Sequence, residues 1–427
     1  MNYQEAVTFH EKTKQYGSIL GLDSIKNLMH ELNDIWKELK IVHIAGTNGK
    51  GSVCCFLSSV LQEAGYCVGQ FNSPAVFDFR EVYRINGEMI NEKEYAECME
   101  EVEKACQYLT EKGLTHPTVF EVETALAFLW FYQKKCDIVL LETGMGGSTD
   151  ATNLIEQPLC SVLTSVSMDH MEFLGDSLEE IAKVKAGIIK ENRPLITTKQ
   201  KEVVENVFRQ TAEEKHAKYF QSPEIATYKI ENEQLIYEHP MIGEVQLSMC
   251  GSYQVQNSAL AVEVLQVLRG MGYKFEDKAI LNGLKKAVWQ GRFECIHKNP
   301  FFVIDGAHNT DAAEQLKKSL LENFPDKRKI GIMGVMADKP YKEMLNVLLP
   351  MFDKIYTVTP DNPRSLSAEK LAEVVYRRGT EAFAAATVQE AVALAWKEIE
   401  MDEKNMLVVF GSLYYLEEVK AALKGCV

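Results

Sequence analysis

Short apolar runs, each followed by a glycine- or serine-containing turn and then a helical pattern, constrain this chain more than any other feature. They include IVHIAG (41–46), YCVGQF (66–71), DIVLLE (137–142) and SVLTSV (161–166). Strands that are apolar on both faces need cover on both sides. Alternating with helices, they predict an α/β fold around a parallel sheet. After residue 195 the texture changes. Residues 226–249 contain ATYKIENEQLIYEHP and GEVQLSM, whose alternation and turn residues predict a small antiparallel element. A helix is expected from about Gln254 to Arg269, then a second helical stretch ending near Val288. The pattern breaks around His297–Pro300, and a new strand–helix series follows with FFVIDGAHN, KIGIMGVM, KIYTVTP and MLVVFGS. These features predict a boundary near 296–300, with one domain over 1–297 and a smaller α/β domain over 298–427.

At about 150 residues per domain, 427 residues suggest two or three domains. Lys and Arg number 46 against 61 Asp and Glu, so the net charge is 46 − 61 = −15. Such an acidic chain is a poor polyphosphate binder, which argues against nucleic acid as a partner. Any phosphate site must be local. The start, MNYQEAVTFHEKTK, lacks an apolar signal-peptide core, and no apolar run is long enough to span a membrane. Ten scattered cysteines without a C-x-x-C pair fit reduced, mostly buried thiols rather than disulfides or a zinc site. A cytoplasmic protein is expected.

The strongest local signal is GTNGKGS (46–52), between the strand IVHIA and a helical run from Val53 to Ala64. Glycines let the backbone fold around a phosphate, with N–H groups pointing inward at a helix N-terminus. Lys50 would meet the terminal phosphates and Ser52 would lie near Mg²⁺. The spacing departs from G-x-x-x-x-G-K-[ST], because Gly46 and Gly49 are three apart and Gly51 separates Lys50 from Ser52.

Polar groups end other apolar runs: Ser73 after YCVGQF, Glu142 closing DIVLLE, and His170 shortly after SVLTSV. In a parallel sheet such ends converge beside the phosphate loop. Singly they read as a turn residue, a helix-dipole partner and a loop histidine. Together they make a plausible hard-cation set, with histidine the least usual member for Mg²⁺. Lys185 lies in SLEEIAKVKAGIIK (177–190), helical by period, where the default is a surface lysine. In DGAHN (305–309), Asp305 would accept a ribose hydroxyl and His308 would face a phosphate or carboxylate, or else the segment is a cap and turn.

These segments together resemble the folylpolyglutamate synthase/dihydrofolate synthase family of Mur-ligase-like amide ligases. The resemblance covers essentially the whole chain. It runs from YGSILGLDSI (16–25) and HIAGTNGKGS through the NSP segment, REVYRING, TVFEVETALAF, LETGMGGSTDATN and SMDHMEFLGDSLEEIAKVKAGIIK. It continues in GSYQVQNSALA, WQGRFE, DGAHN, GVMADKP, PRSLSAEKL and FGSLYYL. It implies a P-loop-containing parallel-sheet N-terminal domain and a smaller Rossmann-like C-terminal domain. The implied activity is ATP-dependent ligation of L-glutamate to a folate-type carboxylate, using Mg²⁺ and commonly K⁺; nothing in the sequence demands more than a monomer. By motif, Gly46, Thr47, Asn48, Gly49, Lys50, Gly51 and Ser52 would hold the triphosphate, and Ser52, Ser73, Glu142 and His170 the Mg²⁺. Lys185 matches a lysine that is carbamylated in the family. Asn257 and Arg292 match ATP contacts, and Asp305 the ribose contact. His308 and Ser412 fall in motifs of the glutamate side, while Gly21, Leu22, Phe120, Glu121, Asp150 and Ala151 fall at the pterin.

The chain departs from the family pattern at four positions. Ala75 replaces the histidine of S-P-H-L, Ser148 an arginine after G-L-G-G, Val184 the glutamate before the carbamylated lysine, and Tyr253 the histidine of G-x-H-Q. The metal and phosphate groups are kept, so catalysis is expected. The alternatives are an amide ligase acting on a non-folate acid and a nucleotide-binding module without ligase activity. The short segment before the phosphate loop argues against a dedicated uridine-nucleotide domain.

Overall fold

The computed structural model describes residues 1–17 and 21–426, so the Ser18–Leu20 part of the YGSILGLDSI motif lies outside the described residues. The chain forms two compact units. One comprises Met1–Ala226, His239–Val245 and Gln256–Ala287; the other comprises Thr227–Glu238, Gln246–Val255 and the chain from Val288 onward.

The first unit is built on β1 (Ile41–Ala45), β2 (Val68–Phe71), β3 (Tyr83–Ile85), β4 (Glu88–Met89), β5 (Ile138–Glu142), β6 (Cys160–Leu163), β7 (Leu195–Thr197) and β8 (Tyr219–Gln221). Their order is β4-β3-β2-β5-β1-β6-β7-β8. From β2 to β8 the pairing is parallel. At one edge β3 runs antiparallel to β2, and β4 antiparallel to β3. β1, β5 and β6 are buried along their whole length, which their continuous apolar runs require. Central β1 leads through 46–49 into the helix Lys50–Glu63.

Two expected elements are shorter than their patterns. β6 stops at Leu163; the Thr164 N–H still donates to Ala45 O at 2.9 Å, while its hydroxyl donates to the Asn48 carbonyl at 2.7 Å, where the chain turns to the phosphate loop. The helix expected over 177–190 spans Leu178–Ala186, opened by a Ser177–Glu180 capping box. It ends against the 144–148 loop, where a Cβ on Gly187 would come 2.4 Å from Ser148 Cβ.

The antiparallel element expected at 226–249 is a small sheet of β9 (Lys229–Glu231), β10 (Gln234–His239) and β11 (Gly243–Leu247), with β9 and β10 antiparallel. The second large sheet contains β12 (Glu294–Lys298), β13 (Phe301–Ile304), β14 (Arg328–Met333), β15 (Lys354–Thr357), β16 (Glu381–Ala384) and β17 (Asn405–Phe410), in the order β12-β13-β17-β14-β15-β16. All neighbours are parallel except β12 and β13. The expected junction at 297/298 therefore falls inside β12, which belongs to the second sheet through its hairpin with β13. All ten cysteines are free thiols, five of them buried and Cys295 exposed. Among the described residues no helix is long and apolar enough to cross a membrane.

Candidate active site

In the first unit the GTNGKGS loop is fastened to the chain leaving β6. Thr47 N donates to Ser165 O at 2.8 Å, Thr47 Oγ1 to Ser167 O at 3.1 Å, and Ser165 Oγ to Asn48 O at 3.2 Å. These hydroxyl partners are absent from the residues singled out in the sequence. Polar residues after an apolar run look like an ordinary turn, and only their register against the loop reveals the latch. A Cβ on Gly46 would stand 1.8 Å from Thr164 Oγ1, so that close approach requires glycine. Gly49 has φ +92°, and a Cβ there would meet Asn257 Oδ1 at 2.5 Å. This contact brings Asn257 against the loop.

Lys50 folds back over its own loop. Its Nζ donates to Gly46 O at 3.1 Å and Thr47 O at 3.3 Å, and lies 3.7 Å from Glu142 Oε1. Glu142 is buried at the end of β5, and Asn72 Nδ2 donates to its other oxygen at 2.5 Å. Ser52 is buried in the first turn of the helix, and Ser73 is half-buried after β2. His170 is exposed with φ +51°, its Nε2 4.0 Å from Asp169 Oδ2.

Among the described residues no three His, Cys, Asp or Glu side chains gather as a metal site. The expected Mg²⁺ set has only two of those types, Glu142 and His170, with Ser52 and Ser73 supplying hydroxyls. A buried carboxylate facing a phosphate loop suits a hard cation. Exposed His170 contributes least to that fit.

Lys185 is buried, not a surface lysine. Its Nζ donates to Gly46 O at 2.9 Å. Burial first, and then the neighbouring Lys50 charge, push its amine down to about 7. The departures Ser148 and Val184 lie together beside it: Ser148 N donates to Val184 O at 2.8 Å. A Cβ on Gly147 would meet Val184 O at 2.7 Å and Lys185 O at 2.9 Å, so the 144–148 loop lies flat on the end of this helix.

Of the expected pterin-side residues, Leu22, Phe120 and Ala151 share one apolar cluster. Phe120 lies under Gly144, where a Cβ would be 2.5 Å from its ring. Glu121 is buried in a capping box with Thr118 and accepts from Ser24 Oγ at 3.0 Å. Asp150 is also a cap: Met145 N and Thr152 N donate to it at 2.8 and 3.0 Å, and burial raises its pKa. These two carboxylates organise their own loops. Gly21 is half-buried.

In the second unit Asp305, buried at the end of β13, joins two turns. Its Oδ1 accepts from Ala307 N at 2.8 Å, and its Oδ2 from Phe293 N at 2.8 Å and Tyr253 Oη at 3.0 Å. Burial is the main influence on its pKa and raises it. With about four acceptor positions on a carboxylate, one remains beyond these three bonds. Arg292 packs on Gly306, where a Cβ would meet Arg292 Nη1 at 2.4 Å and Leu413 Cδ2 at 2.2 Å. His308 Nδ1 donates to Gly306 O at 2.8 Å, Gly411 N to Ala307 O at 2.9 Å, and Tyr414 N to Ser412 Oγ at 3.2 Å. Arg292, Asp305, His308 and Ser412 thus gather at the ends of β13 and β17.

A family model described as the Mur ligase middle domain matches residues 44–265, and one described as the Mur ligase, glutamate ligase domain matches residues 291–413. The chain is 33% identical over 440 residues to the dihydrofolate synthase/folylpolyglutamate synthase of Bacillus subtilis (strain 168), covering 99% of each. It is 31% identical over 435 residues to the folylpolyglutamate synthase of Lacticaseibacillus casei, covering 100% of this chain and 99% of that one. Mycobacterium tuberculosis folylpolyglutamate synthase, solved with ADP and AMPPCP, is similar with a TM-score of 0.90 at 25% identity, over 100% of this chain and 99% of that one. The chain therefore belongs to the folylpolyglutamate synthase/dihydrofolate synthase family of Mur-type ligases.

Proposed function

We propose that the protein is an ATP-dependent ligase that joins L-glutamate to a folate-type carboxylate through an acyl phosphate. The observation that carries this reading is Lys50, folded over the Gly46–Thr47 carbonyls and 3.7 Å from buried Glu142. The relatives' names and the ADP and AMPPCP in the mycobacterial structure support glutamate ligation to folate driven by ATP.

A carboxylate is a poor acylating agent, because its leaving group would be oxide. In this mechanism the acceptor carboxylate attacks the γ-phosphate and ADP leaves. Glutamate's amine then attacks the acyl carbon, and phosphate departs as the amide forms. No protein nucleophile is needed. The loop N–H groups and Lys50 steady charge on the transferring group. Positioning supplies much of the rest, on the order of 7–11 kcal/mol. Mg²⁺ bound by Glu142 with Ser52, Ser73 and His170 would neutralise phosphate charge. Asn257 would contact nucleotide in the first unit, and Arg292 and Asp305 in the second. His308 and Ser412 would serve glutamate, and the apolar cluster of Leu22, Phe120 and Ala151, with Gly21, the pterin. Glu121 and Asp150 act as loop caps there.

Lys185 is proposed to be carbamylated. Its low pKa leaves unprotonated amine near neutral pH, the form that adds CO₂ to give a carbamate and a proton. No residue is assigned to K⁺. Free thiols support a cytoplasmic setting. The monomeric state is part of the same proposal.

A second reading, an acceptor other than folate, draws on the adjacency of the Ser148 and Val184 departures. The test is glutamate-dependent ADP release with dihydropteroate or a tetrahydrofolate as acceptor. Release in either arm supports the folate reading and names the activity. Silence in both withdraws it in favour of another acid or of nucleotide binding alone.

A further inference from the structure

Gln70 on β2 and Asn72 just beyond it are both buried, at 3% and 5% exposure, beside Glu142. An ionised carboxylate only accepts hydrogen bonds, so Asn72 must turn its NH₂ towards Glu142. Its Nδ2 lies 2.5 Å from Glu142 Oε2. The Asn72 carbonyl oxygen then faces Gln70, whose Nε2 donates to it at 2.5 Å. One carboxylate fixes the orientation of two amides in series. β2 and β5 are parallel neighbours, with Gln70 opposite Leu140, so the series runs from the sheet interior to the strand end that carries Glu142. Glu142 Oε1 is the oxygen facing Lys50.

We propose that Asn72, backed by Gln70, is a specificity-determining positioning residue that holds Oε2 and commits Glu142 to offering a single oxygen, Oε1, thereby favouring Mg²⁺ over Ca²⁺. This rests on the reading of Glu142 as a cation ligand. Mg²⁺ demands a compact octahedron and keeps its waters, which one carboxylate oxygen satisfies. Ca²⁺ takes more oxygens at longer range and often grips a carboxylate through both. An amide hydrogen-bonded to the second oxygen opposes that bidentate mode. Asn72 does not meet the nucleotide in this scheme; it acts through Glu142.

The test titrates the full-length protein calorimetrically with AMPPCP, a non-hydrolysable ATP analogue, in EDTA, MgCl₂ or CaCl₂. The readout is the ratio of affinity in Mg²⁺ to affinity in Ca²⁺. Asn72→Leu should lower this ratio by about tenfold, with binding in EDTA unchanged. Gln70→Leu takes the donor from the Asn72 carbonyl oxygen, so the amide is held from one side only, and should lower it by about threefold. If Asn72→Leu does not fold, Gln70→Leu decides. An unchanged ratio, in proteins whose binding Mg²⁺ still enhances, overturns this inference alone. A wild-type protein that binds AMPPCP no tighter in Mg²⁺ than in EDTA overturns the reading of Glu142 and this inference with it.

Discussion

Lys185 Nζ donates to the Gly46 carbonyl at 2.9 Å, so one buried amine ties the helix Leu178–Ala186 to the phosphate loop. Its pKa falls from 10.5 to about 7 on folding, through burial and then Lys50. Between those values the unfolded chain holds a proton that the folded chain lacks. Stability therefore rises with pH across that window, by up to about 1.4 kcal/mol per unit, and the full cost of the buried charge is present below it. In CO₂-depleted buffer, urea unfolding of Lys185→Met against wild type should favour the variant most near pH 6.5, with the gap closing towards pH 10. A gap that stays constant with pH would contradict the shift.

The same amine should respond to CO₂. Activity of CO₂-depleted protein should rise when bicarbonate is added, and protein equilibrated with ¹³CO₂ should show a carbamate carbon resonance that Lys185→Met lacks. A resonance retained in the variant would place the carbamate elsewhere.

Lys50→Ala should lose glutamate-dependent ADP release by about a hundredfold or more, since a charge aimed at the transferring phosphoryl group acts mainly in the transition state. Near-native turnover would remove Lys50 from the mechanism.

Gly46→Ala forces a methyl to within 1.8 Å of Thr164 Oγ1. It should destabilise the protein by about 1–3 kcal/mol in urea and weaken AMPPCP binding. Adding Thr164→Ala removes the clashing hydroxyl and should recover part of both losses.

The Lys50 and Gly46 predictions rest on a loop that the sequence already displayed, because IVHIA, GTNGKGS and a helix are contiguous and the glycines announce close packing. The partners of that loop were hidden. Thr164, Ser165 and Ser167 fasten it through contacts more than a hundred residues apart in sequence, and Asn72 reaches Glu142 only because β2 and β5 are neighbours. Lys185 on a helical period has no signature of burial; the 144–148 loop that covers the end of its helix comes from another part of the chain. β12 escaped because ECIHK is a partly exposed edge strand, polar at most positions, and is defined by its hairpin partner.

Tyr253→Phe removes a hydroxyl donor from Asp305 Oδ2 while Phe293 N still donates there. The cost should be about 1–2 kcal/mol in urea unfolding. Combined with Asp305→Asn the loss should be less than additive, because both changes act on one network. Strict additivity would separate the two residues.

The central claim is carboxylate activation by ATP, and oxygen transfer tests it most directly. The acceptor is prepared with ¹⁸O in its free carboxylate and turned over with ATP, Mg²⁺ and glutamate, and the released phosphate is analysed by mass spectrometry. An acyl phosphate requires one ¹⁸O in the phosphate for each amide formed. Amide formation with unlabelled phosphate, or ADP release indifferent to glutamate and acceptor, would contradict the account.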